Sequence, residues 1–243
     1  MIVSRQNNLI KHLKALSSKK ERSLFKSYLV EGEKSVADAI RLKADIAVIL
    51  ATPDKADLFE GKGYKVEQAE KSVVDCCCDA MTPQGVVAEV AIPPESDEIA
   101  GNCVLLDGVS DPGNVGTVIR TCAAVGVKDV ILVGCCDAYS PKCVRASMSG
   151  IFSVNVHETT AEKALSLVKD KTILTADMGG ENVFDTVCDD FCLIIGNEAH
   201  GVSELFKSSA NKIVAIPMRA EMESLNAGVS CSIILYQLLK NKI

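Results

Sequence analysis

A regular alternation of short apolar segments and amphipathic segments constrains the fold of this chain more than any other feature of its sequence. Apolar runs of four or five residues predict strands at 103–107, 129–133, 172–175, 191–195 and 213–216. The segments that separate and follow them predict helices at 114–125, 141–148, 160–169, 199–207 and 225–239. Short apolar strands that alternate with helices indicate an α/β fold with a mostly parallel sheet covered on both faces.

A similar alternation before this region predicts a separate, smaller domain. Its strands are predicted at 28–30 and 46–50, and its helices at 6–16, 33–42 and 54–60. Residues 93–98 read Pro-Pro-Glu-Ser-Asp-Glu, which has two prolines and no apolar periodicity and is typical of a linker. We therefore predict a small α/β domain at 1–92, a linker at 93–101 and a larger α/β domain at 102–243.

Charge is distributed unevenly along the chain. The whole sequence has a net charge of −6, which on its own argues against a polyanionic partner. The first 26 residues nevertheless contain seven Lys and Arg and a single acidic residue, Glu21. This segment is either a solvated basic helix or a surface that binds the phosphates of a nucleic acid. The candidate RNA-binding residues are Arg5, Lys11, Lys14, Lys19, Lys20 and Arg22.

The chain contains 11 cysteines but no Cys-x-x-Cys pair. Its N-terminus lacks the apolar run of a signal peptide, and no apolar stretch reaches the roughly 18 residues that span a membrane. These features predict a cytoplasmic protein that uses cysteine as a small buried hydrophobe. A metal site formed by Cys135, Cys136 and Cys143 is an alternative, but their spacing matches no common ligand pattern, so no metal is predicted.

Three loops that follow predicted strands contain the residues best suited to chemistry, because ligands of parallel sheets bind at the carboxyl ends of the strands. The first loop, Asp107–Asn114, contains two glycines and a proline and ends at a residue that could cap the next helix. Arg120 lies on the polar side of that helix. It is either an ordinary solvated side chain or a cation that meets a phosphate or carboxylate.

The second loop, Gly196–Gly201, contains Glu198, which could also be only a charge at a helix N-terminus. The third loop, Ile216–Asn226, opens the last helix, which Ser224 or Glu223 could cap. A helix N-terminus of this kind can hold a carboxylate. The chain has no GxGxxG, GxxxxGK[ST] or GxSxG motif, which disfavours dinucleotide-binding, P-loop and α/β-hydrolase proteins.

In this order, the three loops resemble the three motifs of the SpoU (TrmH) family of RNA methyltransferases. The resemblance rests on DPGNVGTVIRTCAAVG at 111–126, LIIGNEAHGVS at 193–203 and IPMRAEMESLNAGVSCSIILY at 216–236. The segments SRQNNLIKHLKAL, YLVEGEKSVADAI and MTPQGVVAEV resemble the substrate-binding domain that precedes the catalytic domain in part of this family. Ala199 and Val202 replace residues common in the family, glycine and leucine, and are mild departures.

The resemblance implies a SPOUT catalytic domain with a deep trefoil knot, which general folding rules treat as nearly absent. It implies that S-adenosylmethionine binds between the second and third loops, largely through backbone groups. The implied cofactor-binding residues are Thr175, Gly196, Ile216, Met218 and Leu225. The resemblance also implies a homodimer through this domain, in which two chains build each active site.

The reaction implied by the resemblance is methyl transfer from S-adenosylmethionine to a ribose 2′-hydroxyl of RNA. The implied catalytic residues are Asn114, Arg120, Glu198, Ser224 and Asn226. The N-terminal resemblance favours ribosomal RNA over transfer RNA as the substrate. A non-catalytic RNA-binding or ribosome-assembly protein on the same scaffold is the alternative.

The chemistry of the ribose hydroxyl bears on the role of Arg120. With a pKa above 12, an arginine that acts as a base at neutral pH has to be deprotonated at a cost of about 7 kcal/mol. We therefore favour a role in which Arg120 clamps a phosphate and orients the hydroxyl. Glu198 is chemically the easier base.

Overall fold

The computed structural model describes residues 1–219, 221 and 224–242. The first helices are α1 (Asn8–Ala15), α2 (Lys19–Phe25), α3 (Glu33–Arg41), α4 (Pro53–Ala56) and α5 (Lys71–Asp75), and the first strands are β1 (Ser27–Glu31), β2 (Ile46–Ala51), β3 (Val66–Gln68) and β4 (Val86–Ala91). The later helices are α6 (Pro112–Val125), α7 (Pro141–Ala146), α8 (Ala161–Leu167), α9 (Glu204–Ser208) and α10 (Ala227–Leu239). The later strands are β5 (Cys103–Asp107), β6 (Asp129–Val133), β7 (Asn155–Thr159), β8 (Thr172–Asn182), β9 (Phe191–Gly196) and β10 (Lys212–Ala215).

The chain forms two compact units whose boundaries differ from the predicted domains. The first unit contains Met1–Pro93 and also Tyr139–Phe152, and the second contains Pro94–Ala138 and the chain from Ser153 onward. The segment with α7 groups with the first unit because Val144 is buried in that unit's core, and because Arg145 pairs with Asp79 at 2.7 Å. A continuous domain at 102–243 is therefore not what the structure shows.

The first unit is built on a four-stranded sheet with the order β1-β4-β2-β3. Strand β4 is antiparallel to both of its neighbours, and β2 is parallel to β3. Because side chains alternate between the two faces of a strand, both faces of this sheet carry apolar residues. One face packs against α1 and α5 through Leu29, Leu50, Val87, Ile10, Leu13, Leu16, Val73 and Val74. The other packs against α3 and α4 through Tyr28, Val30, Ile49, Ala88, Val36 and Ala56.

The second unit has a six-stranded sheet with the order β10-β8-β9-β5-β6-β7, and all its strand pairs are parallel. This confirms the predicted α/β class and the parallel sheet. Strand β7 was not predicted, because only His157 of its five residues is buried and the apolar alternation is missing. Helix α2 was missed for a similar reason, since its buried residue is Arg22.

Three strands of this sheet end next to each other and bring the predicted loops to one edge. Asp107 at the end of β5 pairs in register with Gly196 at the end of β9. Strand β8 lies between β9 and β10, so the loop after β10 emerges at the same edge. The three loops therefore converge at the carboxyl ends of the strands, as expected for a parallel sheet.

Candidate active site

Helix α6 is capped by Asp111, not by Asn114 as predicted. Oδ1 of Asp111 accepts a hydrogen bond from the backbone N–H of Asn114 at 3.0 Å, and Pro112 suits the first turn because that position needs no N–H donor. The side chain of Asn114 is consequently available for contacts with the other loops, and the residue is only 9% exposed.

A chain of hydrogen bonds joins the three loops. Nδ2 of Asn114 donates to Oε1 of Glu198 at 2.8 Å. Nδ2 of Asn226 donates to Oδ1 of Asn114, also at 2.8 Å. Residues from the first, second and third loops thus form one continuous polar network. In the sequence, Glu198 lies 84 positions and Asn226 lies 112 positions after Asn114.

Asn226 is also the N-cap of α10, so the prediction that Ser224 caps this helix is wrong. Oδ1 of Asn226 accepts from the backbone N–H groups of Gly228 and Val229 at 3.0 and 3.2 Å. Asparagine can do both tasks because its amide has an acceptor and a donor. The other predicted cap, Glu223, lies outside the described residues.

Close packing of α10 on α6 holds Asn226 beside Asn114. A Cβ on Gly228 would lie 3.0 Å from Cβ of Thr117, so a larger residue would push the helices apart. One turn further along, the hydroxyls of Thr121 and Ser232 are hydrogen-bonded at 2.8 Å. The absence of a side chain at Gly228 therefore permits the close approach of α10 to α6.

Replacing Asn226 with alanine should lower the free energy of unfolding by about 2–4 kcal/mol. The variant loses the helix cap, which is worth about 1 kcal/mol, and leaves the buried Oδ1 of Asn114 without its donor. Asn226→Ser keeps a cap and loses only the donor, so we expect roughly half the effect. Urea unfolding followed by circular dichroism measures both. Equal stability of Asn226→Ala and the wild type would contradict this view of the network.

The carboxyl group of Glu198 is held in its ionised form. Partial burial raises its pKa, but hydrogen bonds from the Asn114 side chain and from the backbone N–H groups of Glu198, Ser110 and Asp111 together hold the pKa below its ordinary value. Glu198 is therefore negatively charged at neutral pH and is a weak base. Its clearest structural task is to fix the amide of Asn114.

The second loop folds back tightly on itself after Gly196. A Cβ on Gly196 would lie 2.2 Å from the carbonyl carbon of Gly201 and 2.3 Å from the nitrogen of Val202, so only glycine fits. Asn197 and Gly201 exchange two backbone hydrogen bonds of 3.0 and 2.9 Å. Nδ2 of Asn197 donates to the carbonyl oxygen of Gly108 at 2.7 Å, which ties the second loop to the first.

A cavity of about 610 Å³ opens beside this network in the second unit. Its wall includes most of the predicted catalytic and cofactor-binding residues: Gly196, Glu198, Ile216, Met218, Ser224, Leu225 and Asn226. Apolar side chains of Ile195 and Ile234 and the carboxylate of Asp177 also line it. The cavity lies between the second and third loops, where the resemblance implies S-adenosylmethionine.

Part of the cavity wall comes from a bulge in β8 that the sequence did not reveal. Thr175 and Glu181 pair with the consecutive residues Ile213 and Val214, so 176–180 leave the strand pairing. Ala176, Asp177 and Met178 of this bulge face the cavity. The sequence feature that could have indicated this bulge is the Gly179–Gly180 pair, because glycine within a strand often marks a bulge or a close backbone approach. A Cβ on Gly180 would lie 2.6 Å from the backbone of Ile213.

Thr175 stands behind the cavity wall rather than on it. The residue is fully buried, and its Oγ1 has no hydrogen-bond partner among the groups that the structure describes. A buried hydroxyl without a partner is uncommon. Thr175 is not among the residues that line the cavity, and its contact with the cofactor stays a prediction.

Arg120 is exposed on α6, and it makes no ion pair or hydrogen bond with the described residues. Its guanidinium is thus available to a ligand from outside the unit. His200 is exposed as well, and its backbone N–H donates to Oδ1 of Asn197 at 3.1 Å. The structure brings together Asn114, Glu198, Ser224 and Asn226, but it leaves Arg120 apart from this group.

The predicted RNA-binding residues are exposed with one exception. Arg5, Lys11, Lys14, Lys19 and Lys20 lie at the surface of the first unit. Arg22 is only 4% exposed, and its Nη1 donates to the carbonyl oxygens of Leu16 and Ser17, both at 2.7 Å. It stabilises the C-terminal end of α1, because the last carbonyls of a helix lack partners. Unlike the other five predicted RNA-binding residues, Arg22 is therefore buried within the first unit.

The cysteines are not arranged as a metal site. The described residues contain no group of three His, Cys, Asp or Glu that could hold a metal ion. Burial raises the pKa of Cys135 and of Cys136 to about 11, which keeps both as thiols at neutral pH. Across the described part of the chain, no helix has the length and apolar character needed to cross a membrane.

Comparison with known proteins identifies both parts of the chain. Residues 101–236 match the SpoU rRNA Methylase family, and residues 7–88 match the MRM3-like substrate binding domain. A 23S rRNA (guanosine(2553)-2′-O)-methyltransferase from Bacillus subtilis is 30% identical over 98% of both chains. A 23S rRNA (adenosine(1067)-2′-O)-methyltransferase from Streptomyces laurentii is 27% identical over 98% of this chain and 94% of the relative.

A crystal structure of an AdoMet-bound rRNA methyltransferase from Sinorhizobium meliloti superimposes with a TM-score of 0.89. It is 26% identical and covers 100% of this chain and 98% of its own. These matches confirm the predicted family, the SPOUT type of α/β fold and the predicted enzyme class, and the trefoil knot stays a prediction. The chain therefore belongs to the SpoU rRNA methylase family of S-adenosylmethionine-dependent RNA 2′-O-methyltransferases.

Proposed function

We propose that this chain methylates a ribose 2′-hydroxyl of ribosomal RNA, with the network of Asn114, Glu198 and Asn226 as the floor of its active site. The observation that carries the proposal is the hydrogen-bonded junction of three distant loops, in which Glu198 and Asn226, the two partners of Asn114, line one cavity. A scaffold without activity would have no need to keep this junction beside an intact cavity. The rRNA 2′-O-methyltransferases similar over nearly the whole chain support ribosomal RNA as the substrate.

The cavity fits S-adenosylmethionine in size and in chemistry. Its volume of about 610 Å³ is typical of small-molecule sites. Ile195, Leu225 and Ile234 offer apolar contacts for a purine ring, and the ionised carboxylate of Glu198 favours a positively charged ligand. When bound, this cofactor supplies a methyl group on a cationic sulfur.

Arg120 positions the RNA rather than removing a proton. Its guanidinium carries a fork of donors that matches a phosphate and remains charged at neutral pH. Binding of the phosphate next to the target ribose would fix the 2′-hydroxyl in line with the methyl group. Glu198 acts indirectly, because its carboxylate already holds the Asn114 amide at 2.8 Å.

The pH dependence of the rate tests this role of Glu198. Because its pKa lies below the ordinary value, Glu198 is ionised throughout the neutral range, and its titration should produce no break in the rate there. Glu198→Gln keeps an acceptor for Asn114, so we expect a rate within about tenfold of the wild type and a pH–rate profile of the same shape. A loss of about a hundredfold or more, together with a changed profile, would identify Glu198 as the general base.

The exposed lysines of α1 and α2 form the proposed RNA-binding surface. They cannot be tested by deletion of the N-terminal segment, because Ile10, Leu13 and Leu16 are fully buried in the core. Point variants are the better probe, since each phosphate contact contributes separately to the salt dependence of binding.

Replacing Lys11 and Lys14 together with alanine should weaken RNA binding at low salt. It should also reduce the slope of log K against log salt by about 1.4–1.8, because two phosphate contacts are lost. Filter binding of a ribosomal RNA fragment over a range of salt measures the slope. Lys128→Ala with Lys169→Ala, two exposed lysines of the second unit, is the control and should leave the slope unchanged. If the slope of log K against log salt were the same for both double variants, α1 would not be part of the proposed RNA-binding surface.

The proposed homodimer would bring a second chain to the site of Arg120. Val229 and Tyr236 on α10 are 45% and 50% exposed, and their spacing of seven places them on one stripe of the helix. Such a stripe on the second unit suits burial against a second copy. Light scattering should give twice the chain mass of 25.9 kDa at micromolar concentration, and a monomer would overturn the dimer. We also propose that the enzyme acts in the cytoplasm.

The direct test of the reaction is methyl transfer in vitro from labelled S-adenosylmethionine to ribosomal RNA that lacks the modification. Digestion to nucleosides should place the label on a 2′-O-methylnucleoside. Calorimetry with S-adenosylmethionine alone is the companion measurement. Absence of both binding and transfer would favour the non-catalytic assembly protein.

A further inference from the structure

A buried carboxylate in the first unit fixes the ring of a partly exposed histidine. Glu89, on the inner strand β4, is 8% exposed. Its Oε1 accepts from the hydroxyl of Ser27 at 2.7 Å and lies 2.8 Å from Nε2 of His12. Because a buried carboxylate requires hydrogen-bond partners, the imidazole of His12 is held in one orientation on α1.

The held histidine in turn braces an exposed aromatic ring. The ring of Phe25 packs edge-to-face on His12, with 4.6 Å between centroids and an interplanar angle of 85°. Phe25 is the last residue of α2 and is 47% exposed. A phenylalanine in this state has lost conformational freedom without being buried, which leaves part of a fixed π-surface open to a ligand.

The surroundings of Phe25 select a negatively charged ligand. Lys11, Lys14, Lys19, Lys20 and Lys26 are exposed on α1, on α2 and directly after α2. The first 26 residues contain one acidic residue, Glu21. Cations interleaved with an open aromatic face are the arrangement with which proteins bind unpaired nucleotides, because every base has a π-face and every nucleotide a phosphate. A paired duplex offers no such face, since its bases are stacked on each other.

We propose that Phe25, braced by His12 and Glu89, is a stacking platform for an unpaired base of the RNA substrate. The inference rests on the proposed binding of RNA by the first unit, and it narrows the recognised RNA to one with an accessible loop or bulge. The lysines hold the backbone, and Phe25 distinguishes an unpaired segment from a duplex.

The test uses the full chain and two RNA probes of equal length, a hairpin with an unpaired loop and a perfect duplex. Phe25→Ala should weaken binding of the hairpin about tenfold and leave the duplex unchanged, since the variant loses one base–aromatic stack. The slope of log K against log salt should stay constant, because no phosphate contact is lost. Phe25→Trp should restore or improve hairpin binding.

Leu24→Ala is the matched control, because Leu24 is the preceding residue, is 66% exposed and has no π-face. It should bind both probes like the wild type, and thermal unfolding should show that all variants are folded. If Phe25→Ala bound the hairpin as tightly as the wild type, or lost equal affinity for the hairpin and the duplex, the stacking platform would be overturned. The proposed RNA-binding surface would not be affected by either result. Failure of the wild type to bind either probe would overturn the proposed RNA-binding surface as well.

Discussion

Replacing Gly196 with alanine is expected to weaken S-adenosylmethionine binding by at least about a hundredfold. The added Cβ would lie 2.2–2.4 Å from backbone atoms of Gly201 and Val202, and backbone cannot rotate away as a flexible side chain can. The second loop must therefore open, which moves Glu198 away from Asn114 and reshapes the cavity. We expect a further loss of about 1–3 kcal/mol in the free energy of unfolding from overpacking.

Calorimetric titration with S-adenosylmethionine measures this loss, and Gly179→Ala supplies its control. Gly179 belongs to the β8 bulge, but its Cβ would meet no atom within 4 Å. This variant should bind the cofactor like the wild type. Unchanged affinity in Gly196→Ala would mean that the second loop does not shape the cofactor site.

Arg120→Ala should reduce the rate of methyl transfer by roughly a hundredfold to ten-thousandfold, because precise positioning of reacting groups contributes several kcal/mol. The affinity for S-adenosylmethionine should not change, since Arg120 is not on the cavity wall. Stability should also change by less than about 0.5 kcal/mol, because the side chain is exposed and has no partner among the described residues. Single-turnover rates at saturating cofactor give the first quantity, and calorimetry the second.

Arg120→Lys separates a point charge from a guanidinium fork. We expect it to recover only a small part of the rate, because lysine cannot bind a phosphate through two parallel hydrogen bonds. A near-normal rate in Arg120→Lys would contradict every role that depends on the guanidinium fork.

The edge of the sheet that holds the site could be predicted from the sequence, because strand–helix alternation determines it. Strands β5 and β6 match the predicted ranges, and the loops after β5, β9 and β10 meet where the parallel arrangement requires. Which atoms meet there could not be predicted. The hydrogen bonds of Asn114 depend on helix caps at Asp111 and Asn226, and a local pattern does not choose between neighbouring cap residues.

Two other differences arise from tertiary contacts that override local patterns. A run of basic residues predicts exposure, yet the guanidinium of Arg22 is buried because it satisfies two carbonyl oxygens at the end of α1. The segment Tyr139–Phe152 follows β6 in the chain but packs into the core of the first unit through Val144. Sequence order alone could not reveal that the chain returns to its first unit.

The most direct test of the central claim is a map of 2′-O-methylation in ribosomal and transfer RNA from cells with and without the gene. The account predicts that at least one ribose methyl disappears from ribosomal RNA when the gene is absent. The same methyl should return with the wild-type gene but not with Arg120→Ala. Identical ribosomal RNA maps in both strains, or loss of a methyl only from transfer RNA, would contradict it.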